Sequence, residues 1–350
     1  MTLADIAEHY GERFLEKYQQ KLLPGHKKAL HAIRYCRTPA AGMTLLECTG
    51  CQQRDHRPMS CGHRSCNRCQ NTDTSEWLER QRQKLLSVEY FMVTFTLPAQ
   101  LRPLAWQHQR QVYDLLFREA AETLKTFGCN HKGLDAQLGM TGVLHTHSRR
   151  LDHHPHVHFV MPGGGINTRR REWRKLKGNY LFNSNNLAKV FRGRLLKALD
   201  EAGLLTPALK KSLPKLWVAN CQHVGKGEPA LEYLSRYLYR GVISDRQITD
   251  HSGGKVTFTY KNSETGEAEY RTLKGEDFLW LVLQHVLPKR FRRARDYGFL
   301  HSRARRWLKL VQLILQVILK PLVPVIRPKY PCRFCGCDMK AIGFRFTGST

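Results

Sequence analysis

The stretch Leu144-His-Thr-His-Ser-Arg-Arg-Leu-Asp-His-His-Pro-His-Val-His158 decides how this chain is read. Residues 154–161 have the pattern of a β-strand, whose period of two puts His156 and His158 on one face and Val157, Phe159 and Met161 on the other. Two adjacent imidazoles suit a divalent metal, and an apolar opposite face would fix the strand against a core. Residues 138–147 read as the preceding strand, joined to it by a polar, arginine-bearing turn. By the same alternation His145 and His147 share a face, and in a hairpin they would lie beside the pair. His145 is therefore the favoured third ligand, with His147, His154 and Gln222 as competitors. A solvated histidine cluster is the plainer alternative, so His-x-His needs support from elsewhere in the chain.

Outward from this point, residues 88–97 read as a strand stopped by Pro98 and residues 106–127 as a helix. Gly163-Gly164-Gly165 is a breaker. A helix at 186–202, a strand at 216–222, a helix at 229–239 and strands at 256–260 and 269–273 follow. The mixture predicts an α+β fold. Three zones are expected: a helical and cysteine-rich part over 1–75, a long mixed part over 85–300, and a basic helical tail over 301–350 that ends in Cys332-x2-Cys335-x-Cys337. The apolar run 308–326 is punctuated by Lys309, Gln312, Gln316 and Lys320 and broken by Pro321 and Pro324. It therefore reads as an amphipathic helix with an extended tail, and no membrane association is expected.

Among 350 residues, Lys and Arg number 57 against 29 acids, a formal net charge of +28 that favours a polyanionic partner through phosphate neutralisation. No phosphate-binding Gly-x4-Gly-Lys-Ser/Thr loop occurs, which argues against ATPase or helicase chemistry within this chain. The start lacks the basic-then-apolar pattern of a signal peptide, so the 11 cysteines are read as reduced thiols and the protein as cytoplasmic. Cys48-x2-Cys51 and Cys66-x2-Cys69 are two knuckles whose spacing suits one tetrahedral zinc ion. Cys36, Cys61, His56 and His63 are close by, which leaves a second zinc or another choice of four ligands open. Arg54, Arg57, Arg64 and Arg68 would give this module a DNA-facing surface. The three C-terminal thiols lack a local fourth ligand and read as a half-site or as inert thiols.

Leu231-Glu-Tyr-Leu-Ser-Arg-Tyr-Leu-Tyr-Arg240 carries Tyr233 and Tyr237 four apart, one above the other on a helix, with Arg236 and Arg240 at the same spacing. Such a stripe is commonly packing. Beside a bis-histidine strand in a basic chain, it acquires a mechanism: a tyrosine oxygen attacks a phosphodiester whose developing charge is stabilised by cations and a metal. Tyr239 falls about 200° around the helix from Tyr237, at about 100° per residue, and reads as packing or DNA contact.

In this order, histidine pair then Tyr-x3-Tyr helix, the chain resembles the HUH superfamily, and specifically the two-tyrosine rolling-circle transposases of the insertion-sequence 91 family. The stretches 225–243 and 285–299 carry the same resemblance. It implies an HUH nuclease domain over 85–300 with a five-stranded antiparallel sheet, preceded by a small zinc-binding domain and followed by the basic tail. It also implies that His156 and His158 bind the catalytic metal, Mg or Mn, and that Tyr233 and Tyr237 are the nucleophiles. Cys61 joins Cys48, Cys51, Cys66 and Cys69 in the zinc module by the same resemblance; the family's usual histidine before Cys66 is Ser65 here. The expected partners are single-stranded DNA at transposon ends and target and a host helicase or replication machinery, in a bacterial nucleoid setting.

The basic run Lys289, Arg290, Arg292, Arg293 and Arg295, followed by Arg303, Arg305 and Arg306, reads as DNA-backbone contact together with Arg236 and Arg240. Phe291, Tyr297, Phe299 and Trp307 interleave with it and are candidates for base stacking. Rival readings are a plasmid or phage replication initiator, a relaxase, and a non-catalytic zinc-dependent DNA-binding regulator. A covalent protein–DNA adduct separates the enzymes from the regulator.

Overall fold

In a computed structural model, the chain is described over residues 1–346 except 70, 131–133, 177–181, 239–240, 263, 323 and 325–328; the side chains of 71, 236 and 237 are likewise outside the description. Thr2 caps helix α1 (Leu3–Lys17), its hydroxyl accepting from the Asp5 amide while Asp5 accepts from the Thr2 amide. Helix α2 (Pro24–Tyr35) opens with proline, which has no amide to leave unsatisfied. Each short helix buries a single stripe. They find their partner far along the chain: Leu3, Ile6, Tyr10, Phe14 and Ile33 share one core with Ile248, Val256, Phe258 and Phe278. The expected boundary after residue 75 therefore does not divide the hydrophobic cores.

The hairpin β1 (Met43–Cys48) and β2 (Arg54–Pro58) follows, then helix α3 (Asn71–Arg82) and strand β3 (Tyr90–Thr96). The expected helix at 106–127 is two helices, α4 (Arg102–Gln107) and α5 (Gln109–Asn130), because His108 at φ −119°, ψ 45° interrupts the spiral. Next come β4 (Gly139–His147), β5 (His153–Pro162), the small hairpin β6 (Gly164–Asn167) and β7 (Glu172–Lys175), α6 (Ser184–Glu201), α7 (Pro207–Ser212), β8 (Ala219–His223) and α8 (Glu228–Leu238). Strands β9 (Ile248–Asp250), β10 (Lys255–Lys261) and β11 (Ala268–Lys274) make a separate sheet ahead of α9 (Gly275–Leu283). The chain continues with β12 (Ala294–Gly298), α10 (Arg305–Ile314), β13 (Tyr330–Pro331) and β14 (Asp338–Arg345).

The central sheet has five strands in the order β12-β4-β5-β3-β8, every neighbouring pair antiparallel. Helices α5 and α6 cover one face, where Phe95, Val157 and Phe159 meet Leu116, Phe117, Phe191 and Leu195. Gly142 makes this packing possible, since a β-carbon there would come within 2.6 Å of the Phe159 ring. The other face is covered by α3, α8 and α10, whose Trp77, Leu231, Leu234, Leu308 and Val311 pack on Val143 and Val160. The edge strand β12 of the central sheet lies in the segment expected to be a basic DNA-contacting run. Its residues Ala294 to Gly298 are all half-buried and show no alternation of apolar and polar faces.

Two expectations for the C-terminal part change. The amphipathic helix at 308–326 ends at Ile314, where the chain turns back and the Val317 amide donates to the Gln312 carbonyl at 2.9 Å. Nor is the segment 301–350 helical throughout, because β14 is a strand that pairs with β1 from Met43 opposite Arg345 to Cys48 opposite Met339. The sheet β13-β14-β1-β2 thereby joins the two ends of the chain, and β14 satisfies an edge that the N-terminal hairpin would otherwise expose. Among the described residues, no helix is long and apolar enough to cross a membrane.

Candidate metal centres and tyrosine site

His156 and His158 project from β5 toward the α8 side of the sheet, opposite the buried Val157, Phe159 and Met161. His145 on β4 is the direct partner of His156. The ring centroids of His145 lie 5.1 Å from His156 and 4.4 Å from His158, and those of His156 and His158 are 4.9 Å apart. One nitrogen from each ring falls within 4.8 Å of the others. Burial, then the neighbouring imidazoles, holds the His145 ring well below its ordinary pKa. The same causes bring His158 down to about 3, and burial brings His156 to about 4. All three rings are neutral at pH 7, the form that ligates metals.

The ring orientations are fixed from outside the cluster. His156 Nδ1 donates to the His154 carbonyl at 2.7 Å, leaving Nε2 as its lone-pair nitrogen. His158 Nδ1 is hydrogen-bonded to Thr94 Oγ1 at 2.8 Å. Thr94 stands opposite His158 on β3, on the face that alternates with the buried Phe91, Val93 and Phe95.

The competing ligands lie elsewhere. The register slips by one residue between His145 and His147, so His147 pairs with His153 and its ring lies 5.4 Å from that of His285. Strict alternation on β4 therefore fails at the residue after Thr146. His154 Nδ1 is bonded to Arg102 at 2.7 Å, and Gln222 is exposed on β8 opposite Met92.

Helix α8 carries Tyr233 over the cluster. Its ring centroid is 6.2 Å from that of His158 and 6.3 Å from that of His145, and the residue is 38% exposed. The helix is braced by Arg82 of α3, which donates to Glu228 at 2.8 Å and to Glu232 at 3.1 Å. Tyr237 stands one helical turn along α8. The side chains of Tyr237 and Arg236 lie outside the described residues, as do Tyr239 and Arg240 entirely.

The basic run divides into two groups. Lys289, Arg290 and Arg292 are exposed and line a groove of 1740 Å³ together with Arg110, Arg118 and Trp106. Arg293 also lines this groove, but its Nε donates to the Leu144 carbonyl at 3.0 Å, and burial with the nearby Arg64 lowers its pKa to about 10. Arg295 pairs with Asp114 and lies over the rings of Phe117 and Phe291, 4.3 Å and 5.0 Å from their centroids. Both guanidiniums are thus engaged within the fold, in the segment where β12 closes the sheet. Phe291 and Phe299 are buried in the cores, so they do not stack bases.

The cysteines form two separate groups. Cys36, Cys61, Cys66 and Cys69 bring their sulfurs within 4.8 Å of one another, as do Cys48, Cys51, Cys332 and Cys335. The expected single site of Cys48, Cys51, Cys66 and Cys69 is not what forms. After Cys51 the strand β2 runs back along β1, Leu45 opposite His56, and carries the chain away from the 48–51 turn. The second knuckle then meets Cys36 at the end of α2, with Cys36 and Cys69 sulfurs 3.3 Å apart. His63 is not a member of either group; its Nδ1 accepts from the Ser65 amide at 3.2 Å. Asp245 fastens this module to the body, accepting from the Leu3 amide at 2.8 Å and from Asn67 at 2.6 Å.

Residues 6–97 match the family described as "Transposase zinc-binding domain", and residues 139–307 match one described as "Putative transposase". The chain is 35% identical over 323 residues to "Putative transposase y4qJ" of Sinorhizobium fredii, covering 87% of this chain and 81% of that protein. It is 30% identical over 258 residues to "Transposase for insertion sequence element IS801" of Pseudomonas savastanoi pv. phaseolicola, covering 70% of this chain and 62% of that protein. The conjugative relaxase TrwC, solved with mutant oriT DNA, overlaps 63% of this chain and 72% of its own at 16% identity and a TM-score of 0.29, too loose a likeness to bear on the fold. The α+β architecture, the matched segments and the relatives agree: this chain belongs to the insertion-sequence 91 family of rolling-circle transposases and carries that family's zinc-binding domain at its N-terminal end.

Proposed function

We propose that the transposase nicks and rejoins single-stranded DNA at element ends through Tyr233 and Tyr237, with a divalent ion held by His145, His156 and His158. The observation that carries this reading is the clustering of three neutral imidazoles beneath the Tyr233 ring. The donor set fits such an ion, because three imidazole nitrogens converge, with His158 oriented by Thr94 and His156 by the His154 carbonyl, and imidazole donors favour Mn over Mg. When bound, the ion supplies Lewis acidity and orients the scissile diester.

Tyr233 gives up its phenolic proton and its oxygen forms a bond to the scissile phosphorus. The bond from phosphorus to the 3′-oxygen breaks, and that oxygen takes up a proton as a free 3′-hydroxyl. The 5′-phosphotyrosine keeps a phosphodiester, so attack by a 3′-hydroxyl can release the tyrosine and rejoin a strand. Tyr237, on the same face of α8, provides for a second transfer. Lys289, Arg290 and Arg292 neutralise backbone phosphates along their groove, and strand separation falls to a host helicase. Incubating full-length protein with labelled single-stranded element-end DNA and Mn tests the reading. A denaturation-resistant adduct is expected; its absence, or its persistence in a Tyr233→Phe/Tyr237→Phe protein, overturns the assignment.

A further inference from the structure

The group Cys48, Cys51, Cys332 and Cys335 draws half of its thiols from beyond both matched segments, which end at residues 97 and 307. Two Cys-x2-Cys turns lie side by side at one end of the β13-β14-β1-β2 sheet, where Cys48 stands opposite Met339. The sulfurs of Cys48 and Cys335 are 3.3 Å apart and those of Cys51 and Cys332 are 3.6 Å apart. Tetrahedral zinc with bonds of about 2.3 Å to sulfur sets its thiolates about 3.8 Å from one another. All four cysteines are free of disulfides.

The backbone around the thiols is built in the same way on both sides. The amides of Gly50 and Cys51 point at the Cys48 sulfur, at 3.4 Å and 3.5 Å. Around Cys332 the turn closes as it does around Cys48: the Cys332 amide donates to the Cys337 carbonyl at 2.8 Å and the Gly336 amide to the Cys332 carbonyl at 3.0 Å, as the Cys48 amide does to the Gln53 carbonyl at 2.8 Å and the Gln52 amide to the Cys48 carbonyl at 3.2 Å. The approach is close enough that a β-carbon at Gly50 would lie 2.8 Å from the Cys337 sulfur. Thr49 fastens the two turns directly, its amide and hydroxyl donating to the Asp338 carbonyl at 3.1 Å and 2.9 Å.

The four-stranded sheet has little apolar interior. Within β1, Leu46 and Cys48 are the buried residues; in β2 and β14 no described residue is buried. A sheet of this kind needs a covalent or metal tie to stay closed.

We propose that Cys48, Cys51, Cys332 and Cys335 bind a second zinc ion, distinct from one held by Cys36, Cys61, Cys66 and Cys69, and that this ion clasps the C-terminal hairpin onto the N-terminal module. The site is discontinuous, one knuckle from each end of the chain. Its ligands lie outside the core that supports the central sheet, so losing this ion releases the C-terminal hairpin and leaves the histidine–tyrosine site assembled. The proposal is independent of the strand-transfer chemistry.

Metal analysis of the full-length protein tests it. Wild type holds two zinc ions per chain; Cys332→Ser/Cys335→Ser and Cys48→Ser/Cys51→Ser each hold one, and the fourfold variant also holds one. A wild type with one zinc, a Cys332→Ser/Cys335→Ser protein that keeps the full wild-type content, or iron in place of zinc overturns it. A second measurement needs no variant. Cys51 and Cys335 are exposed, as is Cys129. In the zinc-loaded protein the first two react with N-ethylmaleimide at least about tenfold more slowly than Cys129 until a chelator is added. Equal rates before chelation, or protection removed by reductant instead of chelator, overturn the site.

Discussion

His145 and His156 stand directly opposite each other on β4 and β5, and the slip in register at the next pair is what separates His147 from them. A one-residue difference in strand length thus selects which histidine completes the cluster. The third ring also places the group beneath Tyr233, on the one helix that carries the paired tyrosines.

Metal affinity should follow this geometry. His145→Ala is expected to abolish Mn binding at the histidine cluster, whereas His147→Ala retains it. Thr94→Val removes the hydrogen bond that orients His158 and should weaken Mn binding by about 10- to 100-fold. Titration calorimetry on the purified variants measures all three; equal effects of the His145 and His147 substitutions would remove His145 from the ligand set.

Covalent chemistry should report on the tyrosines one at a time. Tyr233→Phe is expected to lower adduct formation by roughly 10³-fold or more if it strikes first, since a nucleophile has no partial substitute. The same assay on Tyr237→Phe distinguishes the order. Undiminished cleavage and joining in both single variants would show that neither phenol is required alone, and a double variant that remains active ends the two-tyrosine mechanism.

Arginines in the basic run should separate into two phenotypes. Arg293→Ala leaves the Leu144 carbonyl without its guanidinium donor and should cost about 1–3 kcal/mol of stability. Arg290→Ala, on the exposed groove, should leave the melting temperature unchanged. It should weaken single-stranded DNA binding and make the slope of log K against log salt shallower by about 0.7. Thermal melts and salt titrations read both effects, and a stable Arg293→Ala protein would contradict a structural role for Arg293.

Acid should destabilise the protein through histidines outside the metal cluster. Burial holds His26 and His153 at about 4 and His285 at about 3. Between about pH 6.5 and these values the unfolded chain binds protons that the folded chain does not. Their stabilising effect is complete above about pH 6.5 and declines as pH falls, at up to about 1.4 kcal/mol per pH unit for each ring. Urea unfolding at pH 7.5 and 5.5 should show this loss, and His285→Leu should flatten it by the share of one proton. A slope identical in wild type and His285→Leu would exclude His285 as a contributor.

Much of the candidate site was legible because short periods survive folding. The alternation of 154–161 placed Val157 and Phe159 in the core and His156 and His158 opposite, as the structure has them. The i,i+4 spacing of Tyr233 and Tyr237 was equally local. The intramolecular partners of Arg293 and Arg295 were not legible, because a charge pattern does not say which face of an edge strand is covered. Phe117 and the Leu144 carbonyl, their actual partners, lie far away in the chain.

Sequence alone determined the family resemblance, the α+β class, the histidine pair and the four-thiol chemistry, all of which depend on residue type at fixed local spacing. Tertiary structure decided which thiols meet and which histidine is third. Spacing placed Cys48 and Cys51 with Cys66 and Cys69; the return of β2 along β1 and the pairing of β14 with β1 instead sent them to Cys332 and Cys335. The physical reason is that strand pairing is a long-range choice made by backbone hydrogen bonds and edge satisfaction, which leave no periodic mark in the residues they join.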